Sequence, residues 1–180
     1  QWDKDGKVDR ETWLKAGREG LLCTSMDPKW GGAGGDFGHA AVIVEEIARS
    51  GVSGLGFGLH SDVVAPYIER LGTDAQKSQW LPKCAAGEVI LAVAMSEPGA
   101  GSDLKAIRTT ARREGDDYII SGAKTFISNG QLCDVLVLAC KTNPEDAKGG
   151  GISLMIVDAK TPGFVRGKRL EKIGLKAQDT

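Results

Sequence analysis

The chain has 180 residues, 41% hydrophobic and 26% charged, a composition that supports a packed core and excludes a disordered tail. A formal net charge of −1 gives nucleic acid no general electrostatic reason to bind. No run approaches the ~18 uninterrupted apolar residues of a membrane span, and the 25 glycines predict many tight turns or close backbone approaches.

The first part of the chain, residues 1–88, is predicted to form an all-α domain. Apolar residues recur there at helical spacing, and Gly31 to Gly38 form a glycine-rich loop. Thr73 and Gln76 have the spacing of a capping box. The predicted helices start at Asp9, run from Ala40 to about Ser50, continue from Leu59 to Leu71, and run from Thr73 to Leu81, stopping before Pro82.

The second part, residues 89–180, is predicted to form a β-domain. Its apolar runs are short, rich in β-branched residues and separated by turn pairs such as Asn129-Gly130. The predicted strands are Val89–Met95, Tyr118–Ile120, Thr125–Ile127, Val135–Leu138 and Ile152–Val157. Strands without intervening helices favour an antiparallel barrel or sandwich, which makes the fold class α+β.

The segment Ser96–Asp103 is a candidate anion-binding loop. Pro98 follows an apolar strand, and two glycines, Gly99 and Gly101, allow backbone N–H groups to converge on a pyrophosphate. An ordinary strand-to-strand turn explains the same residues. A dinucleotide-binding βαβ unit does not, because β-branched residues and a hairpin signal follow the loop where a helix would be required.

Cysteine and histidine spacing predicts neither a metal site nor a disulfide framework. The four cysteines form no C-x-x-C pair, and three stand among apolar residues, where free thiols usually act as small hydrophobes. This favours, weakly, a reducing compartment.

Three ordered motifs resemble the acyl-CoA dehydrogenase family. They are M-S-E-P-G-A-G-S-D at 95–103, G-A-K-T-F-I-S-N-G at 122–130 and K-I-G-L-K-A-Q-D-T at 172–180. Upstream, the glycine-rich loop and the stretches His60–Asp62 and Pro66–Ile68 are especially similar to long-chain members. The resemblance covers essentially the whole chain.

The resemblance implies a flavoenzyme of three parts: an N-terminal helical domain, a middle β-domain and a C-terminal helical bundle. We therefore expect an internal fragment in which the bundle is absent. It also implies FAD as cofactor, acyl-CoA as substrate, electron transfer flavoprotein as acceptor, a homotetramer, and a bacterial cytoplasmic or mitochondrial matrix location. The implied reaction is α,β-dehydrogenation of the thioester to trans-2-enoyl-CoA.

The resemblance also implies roles for individual residues. Met95 and Ser96 would meet the pyrimidine edge of the flavin, and Gly101 and Ser102 would approach the pyrophosphate and acyl-CoA. The Ser128 hydroxyl would lie near flavin N5. The full set of implied flavin contacts is Val93, Met95, Ser96, Gly101, Ser102, Phe126, Ile127 and Ser128, and the implied substrate contacts are Ser102, Gly149 and Gly150.

Two residues have competing interpretations. Phe126 can shield one flavin face, although the residue pattern alone favours plain core packing. Glu97 lies within the first motif, but its position beside the turn argues against a catalytic base. The base implied by the resemblance belongs to the absent bundle. A non-catalytic flavin or acyl-CoA binding module is the alternative function, and an NAD-linked enzyme ranks third.

Overall fold

The structure is a computed structural model that describes residues 1–143 and 151–180, and none of the helices in these ranges has the length and apolar character to cross a membrane. Its first part is helical, as predicted. A π-helical turn, Leu59–Val64, leads directly into the fourth helix. The α-helices are α1 (Trp2–Asp5), α2 (Arg10–Arg18), α3 (Phe37–Arg49), α4 (Ala65–Leu71) and α5 (Asp74–Ala85).

Helix α5 shows both a confirmed and a wrong prediction. The capping box is present: the Gln76 amide donates to Thr73 Oγ1 at 3.3 Å, and the Thr73 amide donates to Gln76 Oε1 at 2.8 Å. The helix does not stop before Pro82 but continues to Ala85. Proline removes one backbone hydrogen bond, and burial of Cys84 in the last turn offsets that loss.

The second part contains a mixed sheet centred on β4. Strand β1 lies parallel to β4, with Leu91 opposite Val135, whereas β5 pairs with β4 in antiparallel register along its whole length. The α+β class is confirmed, but the antiparallel expectation fails for β1 because the chain crosses from β1 to β4 over a β-hairpin rather than a helix. The strands are β1 (Leu91–Ala94), β2 (Thr110–Glu114), β3 (Asp117–Ser121), β4 (Val135–Lys141) and β5 (Ile152–Asp158).

One predicted strand does not form. Residues 125–127 have no regular secondary structure, because Phe126 adopts a left-handed backbone (φ 57°) and a turn follows over residues 128–130. A strand needs extended backbone at every position, so one left-handed residue ends it. Composition rich in β-branched residues was therefore a misleading signal here.

The helical part and the sheet share one apolar core. Val64 and Ile68 from the helical part pack in the same cluster as Leu91 of β1 and Val135 of β4, and all four are buried. Strand β4 is buried over its first six residues, as expected for a central strand covered by neighbouring elements. The sheet edge that carries the candidate loop is consequently held against the helices.

Candidate active site

The first candidate segment is the loop that leaves β1. Its tight turn, Pro98-Gly99, is closed by two backbone hydrogen bonds between Glu97 and Ala100, of 2.9 and 3.0 Å. The two residues after the turn, Gly101 and Ser102, are exposed. The loop therefore presents its second half to the surface while its first half is fixed by backbone bonds.

The two glycines of this loop leave open space beside the main chain. Neither Gly99 nor Gly101 has a positive φ, and a Cβ built on either residue would meet no atom of the described residues within 4 Å. They therefore contribute unobstructed backbone rather than left-handed backbone. What they leave is open space beside the main chain, which suits close approach of a ligand.

The second candidate segment, residues 124–128, lies against the first. The Thr125 amide donates to the Ser96 carbonyl at 3.0 Å. The Lys124 ammonium donates to the Met95 carbonyl at 2.9 Å. Two motifs separated by about thirty positions in sequence are thus joined through consecutive residues on both sides.

The Glu97 carboxylate is a structural centre of this region. It accepts hydrogen bonds from the Arg108 amide (2.6 Å), from the Thr109 amide (3.0 Å) and hydroxyl (2.5 Å), and from Lys124 Nζ (2.9 Å). Burial raises the pKa of this carboxyl, but the hydrogen bonds from Thr109, Lys124 and the Arg108 amide outweigh burial and lower its pKa to about 2. A carboxylate that is buried, ionised and fully engaged is a poor proton acceptor, which agrees with the sequence argument against Glu97 as the base.

Phe126 projects to the surface from a strained backbone. Its side chain is 69% exposed and its φ is +57°. The core-packing interpretation is therefore wrong. A bulky residue in left-handed conformation costs about 1–2 kcal/mol, and strain of this kind persists mainly where function requires it.

The remaining predicted flavin residues lie around these two segments. Val93 is part of β1 and half-buried against the core, and Ile127 is half-buried against the sheet. The hydroxyls of Ser96, Ser102 and Ser128 make no hydrogen bond to any other residue within 1–143 and 151–180. Within the described residues, these three hydroxyls are therefore available to hydrogen-bond a ligand.

Two predicted substrate residues, Gly149 and Gly150, lie outside the described residues. Their neighbour Gly151 has a left-handed backbone (φ 55°), and its carbonyl accepts from the Thr142 amide at 2.9 Å. This pairing closes the loop between β4 and β5 at its base.

Asn129 is an important residue that sequence reasoning passed over. Its buried side-chain amide donates to the Gly56 carbonyl (3.2 Å) and to the Leu91 carbonyl (3.1 Å). It directly follows Ser128, so it ties the second candidate segment to the helical part and to β1 at once. The available sequence signal was the Asn129-Gly130 pair, which indicates a turn. Asn129 adopts a left-handed φ of 62° there, a conformation that asparagine tolerates.

His60 is a second such residue. It is completely buried: Nδ1 accepts from the Leu91 amide and Nε2 faces the Cys84 carbonyl, both at 3.1 Å. Burial lowers its pKa to about 4, an effect that the Cys84 carbonyl only partly opposes. His60 is thus neutral, with its proton on Nε2, and it fixes the start of β1 to the π-helical turn.

The described residues hold no other cluster suited to chemistry. Cys23, Cys84, Cys133 and Cys140 are buried free thiols, and burial raises the pKa of each. No group of three His, Cys, Asp or Glu side chains there is arranged to hold a metal ion. The two adjoining segments remain the candidate site.

Two family models together match nearly the whole chain. The family model for the acyl-CoA dehydrogenase N-terminal domain matches residues 1–88, and the model for the middle domain matches residues 92–180. The long-chain specific acyl-CoA dehydrogenase of Sus scrofa is 49% identical over 100% of this chain and 42% of its own length.

Solved structures agree with this assignment. The acyl-CoA dehydrogenase of Geobacillus kaustophilus superposes with a TM-score of 0.95 and 54% identity, over 99% of this chain and 47% of that one. A Mycobacterium smegmatis glutaryl-CoA dehydrogenase in complex with FADH2 has a TM-score of 0.82 and 31% identity, over 99% of this chain and 45% of that one. The chain thus spans somewhat less than half the length of its relatives, and across that span it belongs to the acyl-CoA dehydrogenase family.

Proposed function

We propose that the full-length protein is a flavoenzyme that dehydrogenates acyl-CoA thioesters to trans-2-enoyl-CoA in fatty-acid β-oxidation, with FAD as cofactor. One observation carries this proposal. The Ser96–Thr125 hydrogen bond joins the loop that is open at Gly101 to the segment that holds the exposed, strained Phe126. The family assignment supports the reaction class, and the relative in complex with FADH2 supports the cofactor.

The residues present fit a flavin. Phe126 offers a flat apolar face that no core residue covers, which suits offset stacking on an aromatic ring system. Gly101 leaves room for close backbone approach, and Ser102 adds a hydroxyl there. A pyrophosphate accepts hydrogen bonds from such N–H and O–H groups.

Each flavin-contacting segment has a distinct proposed task. Met95 and Ser96, together with Val93, line the pyrimidine edge, where fixed donors stabilise the charge that reduction places on the ring. Phe126 and Ile127 cover the other edge, and the Ser128 hydroxyl donates near N5. The chemistry that FAD supplies when bound is acceptance of a hydride from the β-carbon of the thioester.

The substrate contacts proposed for this chain are Ser102, Gly149 and Gly150. The general base is assigned to none of the described residues. Glu97 is committed to its hydrogen bonds, and the exposed Asp103, the other carboxylate of the loop, accepts from the Lys105 amide at the start of the short turn that follows. Electron transfer flavoprotein as acceptor, a homotetrameric assembly, and a mitochondrial matrix or bacterial cytoplasmic location are further proposals. The location rests on the named mitochondrial and bacterial relatives, and the acceptor and the assembly rest on the family resemblance.

The test is anaerobic titration of the purified full-length protein. We expect flavin absorption near 450 nm that co-purifies with the protein and is bleached by a long-chain acyl-CoA. A protein that binds FAD but is not bleached by any acyl-CoA would instead be the binding module. A protein that retains no FAD would overturn the proposal.

A further inference from the structure

A buried ion pair joins the two candidate segments. Lys124 Nζ lies 2.9 Å from Glu97 Oε1, and the two side chains are 9% and 6% exposed. Every other ion pair within residues 1–143 and 151–180 has both partners at least 29% exposed. This pair is therefore the enclosed one in the described part of the chain.

Enclosing two charges is costly unless their hydrogen-bonding capacity is filled. Glu97 meets that condition through the Arg108 amide and through both donors of Thr109. Gly122 makes room for this arrangement, since a Cβ there would lie 2.3 Å from Thr109 Oγ1. Well-packed apolar residues would satisfy stability as well, so stability alone does not account for the pair.

The second hydrogen bond of Lys124 shows what the pair holds in place. Its ammonium also donates to the Met95 carbonyl at 2.9 Å, while the neighbouring Thr125 amide holds the Ser96 carbonyl at 3.0 Å. Consecutive carbonyls of the loop are thus held by consecutive residues of the second segment. These carbonyls belong to the two residues proposed to meet the pyrimidine edge of the flavin.

We infer that the Lys124–Glu97 pair is a positioning element for the flavin, in which Lys124 fixes the Met95 carbonyl and places a cation near the pyrimidine edge, while Glu97 limits the field of that cation. The inference rests on the proposed function. Neither residue is assigned a contact with the flavin. Their effect is transmitted through the Met95–Ser96 backbone and through charge in a poorly solvated region.

The experiment compares Lys124→Gln, Glu97→Gln and the double variant in the full-length protein, by FAD dissociation constant and by reduction potential of bound flavin. Lys124→Gln leaves a lone carboxylate and should lower the potential. Glu97→Gln leaves a lone ammonium and should raise it. We expect about a tenfold change in the ratio of reduced to oxidised flavin in each direction, or ~30 mV for a two-electron couple.

The double variant buries no lone charge, so the proposal can still be tested with it if Lys124→Gln fails to fold. Its potential should return close to that of the wild-type protein, but its FAD dissociation constant should rise about tenfold, since the bond to the Met95 carbonyl is lost. Arg10→Gln is the matched control, because Arg10 also links distant segments, by an ion pair with Asp134. Its dissociation constant and potential should stay at wild-type values.

Shifts of both single variants in the same direction, or a double variant that binds FAD like Arg10→Gln, would overturn the inference and leave the proposed function intact. A wild-type protein without flavin would overturn the proposed function and this inference with it. A purely structural pair moves stability in both single variants but gives no reason for potentials of opposite sign.

Discussion

Phe126 combines two properties that rarely occur together, a left-handed backbone and a large exposed apolar side chain. Each is unfavourable for an isolated folded chain, because the first strains the main chain and the second leaves apolar surface in water. A flat ligand that covers the ring removes the second cost, while the backbone strain remains in both states. The residue is thus better suited to the bound protein than to the free one.

At Phe126, substitution by glycine should destabilise the protein less than substitution by alanine, which is the reverse of the usual order. Phe126→Gly relieves the left-handed strain, whereas Phe126→Ala keeps it, so the glycine variant should be more stable by about 1 kcal/mol. Both variants should bind FAD more weakly than the wild-type protein. Thermal unfolding of the apo-protein and FAD titration check the two parts separately. An alanine variant as stable as the glycine variant would contradict the role of backbone strain.

Gly101→Val tests the open space in the loop. Within residues 1–143 and 151–180 no atom lies within 4 Å of a Cβ at this position, and its φ is not positive, so the melting temperature of the apo-protein should change little. FAD retention should be lost, because the added methyl groups occupy the space proposed for the ligand. Gly167→Val, at an equally open glycine elsewhere, is the control and should keep a full complement of flavin. A flavin-replete Gly101→Val protein would remove the loop from the site.

At the scale of elements, the sequence predicted what local chemistry decides. The Thr73–Gln76 capping box lies within one helical turn, and its reciprocal bonds formed as predicted. The parallel pairing of β1 with β4 was not predictable in this way, since it joins residues 44 positions apart, Leu91 and Val135, and no short pattern reports a partner at that distance. The predicted end of α5 before Pro82 was wrong for a related reason, because burial in the core decides where the helix ends.

The candidate site was found by motif and corrected by structure. The motifs located both segments, and their contact through Ser96 and Thr125 follows from the fold. Sequence did not reveal that Phe126 leaves the core, because exposure depends on backbone conformation as well as on residue type. Nor did it reveal His60 and Asn129, whose hydrogen-bond partners are between 24 and 73 positions away.

The link between the π-helical turn and β1 should make stability depend on pH. The ordinary pKa of histidine is 6.5 and that of folded His60 is about 4, so the unfolded chain binds the extra proton. The contribution is fully present above pH 6.5 and is lost as pH falls towards 4, by up to ~3 kcal/mol. The measurement is the free energy of unfolding against pH.

His60→Asn should remove the contribution of one proton to the slope of the free energy of unfolding against pH. Ser61→Ala is the control. It deletes the buried hydrogen bond that Ser61 Oγ accepts from the Cys23 amide, but it removes no titratable group. It should lower stability at every pH and leave the slope unchanged. An unchanged slope in His60→Asn would show that His60 does not carry the effect.

At the scale of the whole molecule, Asn129 is where the helical part, β1 and the candidate site meet. Asn129→Asp keeps the shape but turns the donor towards Gly56 and Leu91 into an acceptor that faces their carbonyls. We expect a loss of roughly 3 kcal/mol in the free energy of unfolding. Asn143→Asp makes the same chemical change at an exposed position and should cost much less. Equal losses in chemical denaturation would contradict the linking role.

The joint between the two family domains has a consequence for protein engineering. Their sequence matches meet between residues 88 and 92, yet Arg10 forms an ion pair with Asp134 and His60 accepts from the Leu91 amide across that joint. A chimera cut at the joint between two divergent parents would separate these partners, even though each half kept its own sequence intact. Recombination should succeed when residues 10, 56 and 60 come from the same parent as the sheet that they hold.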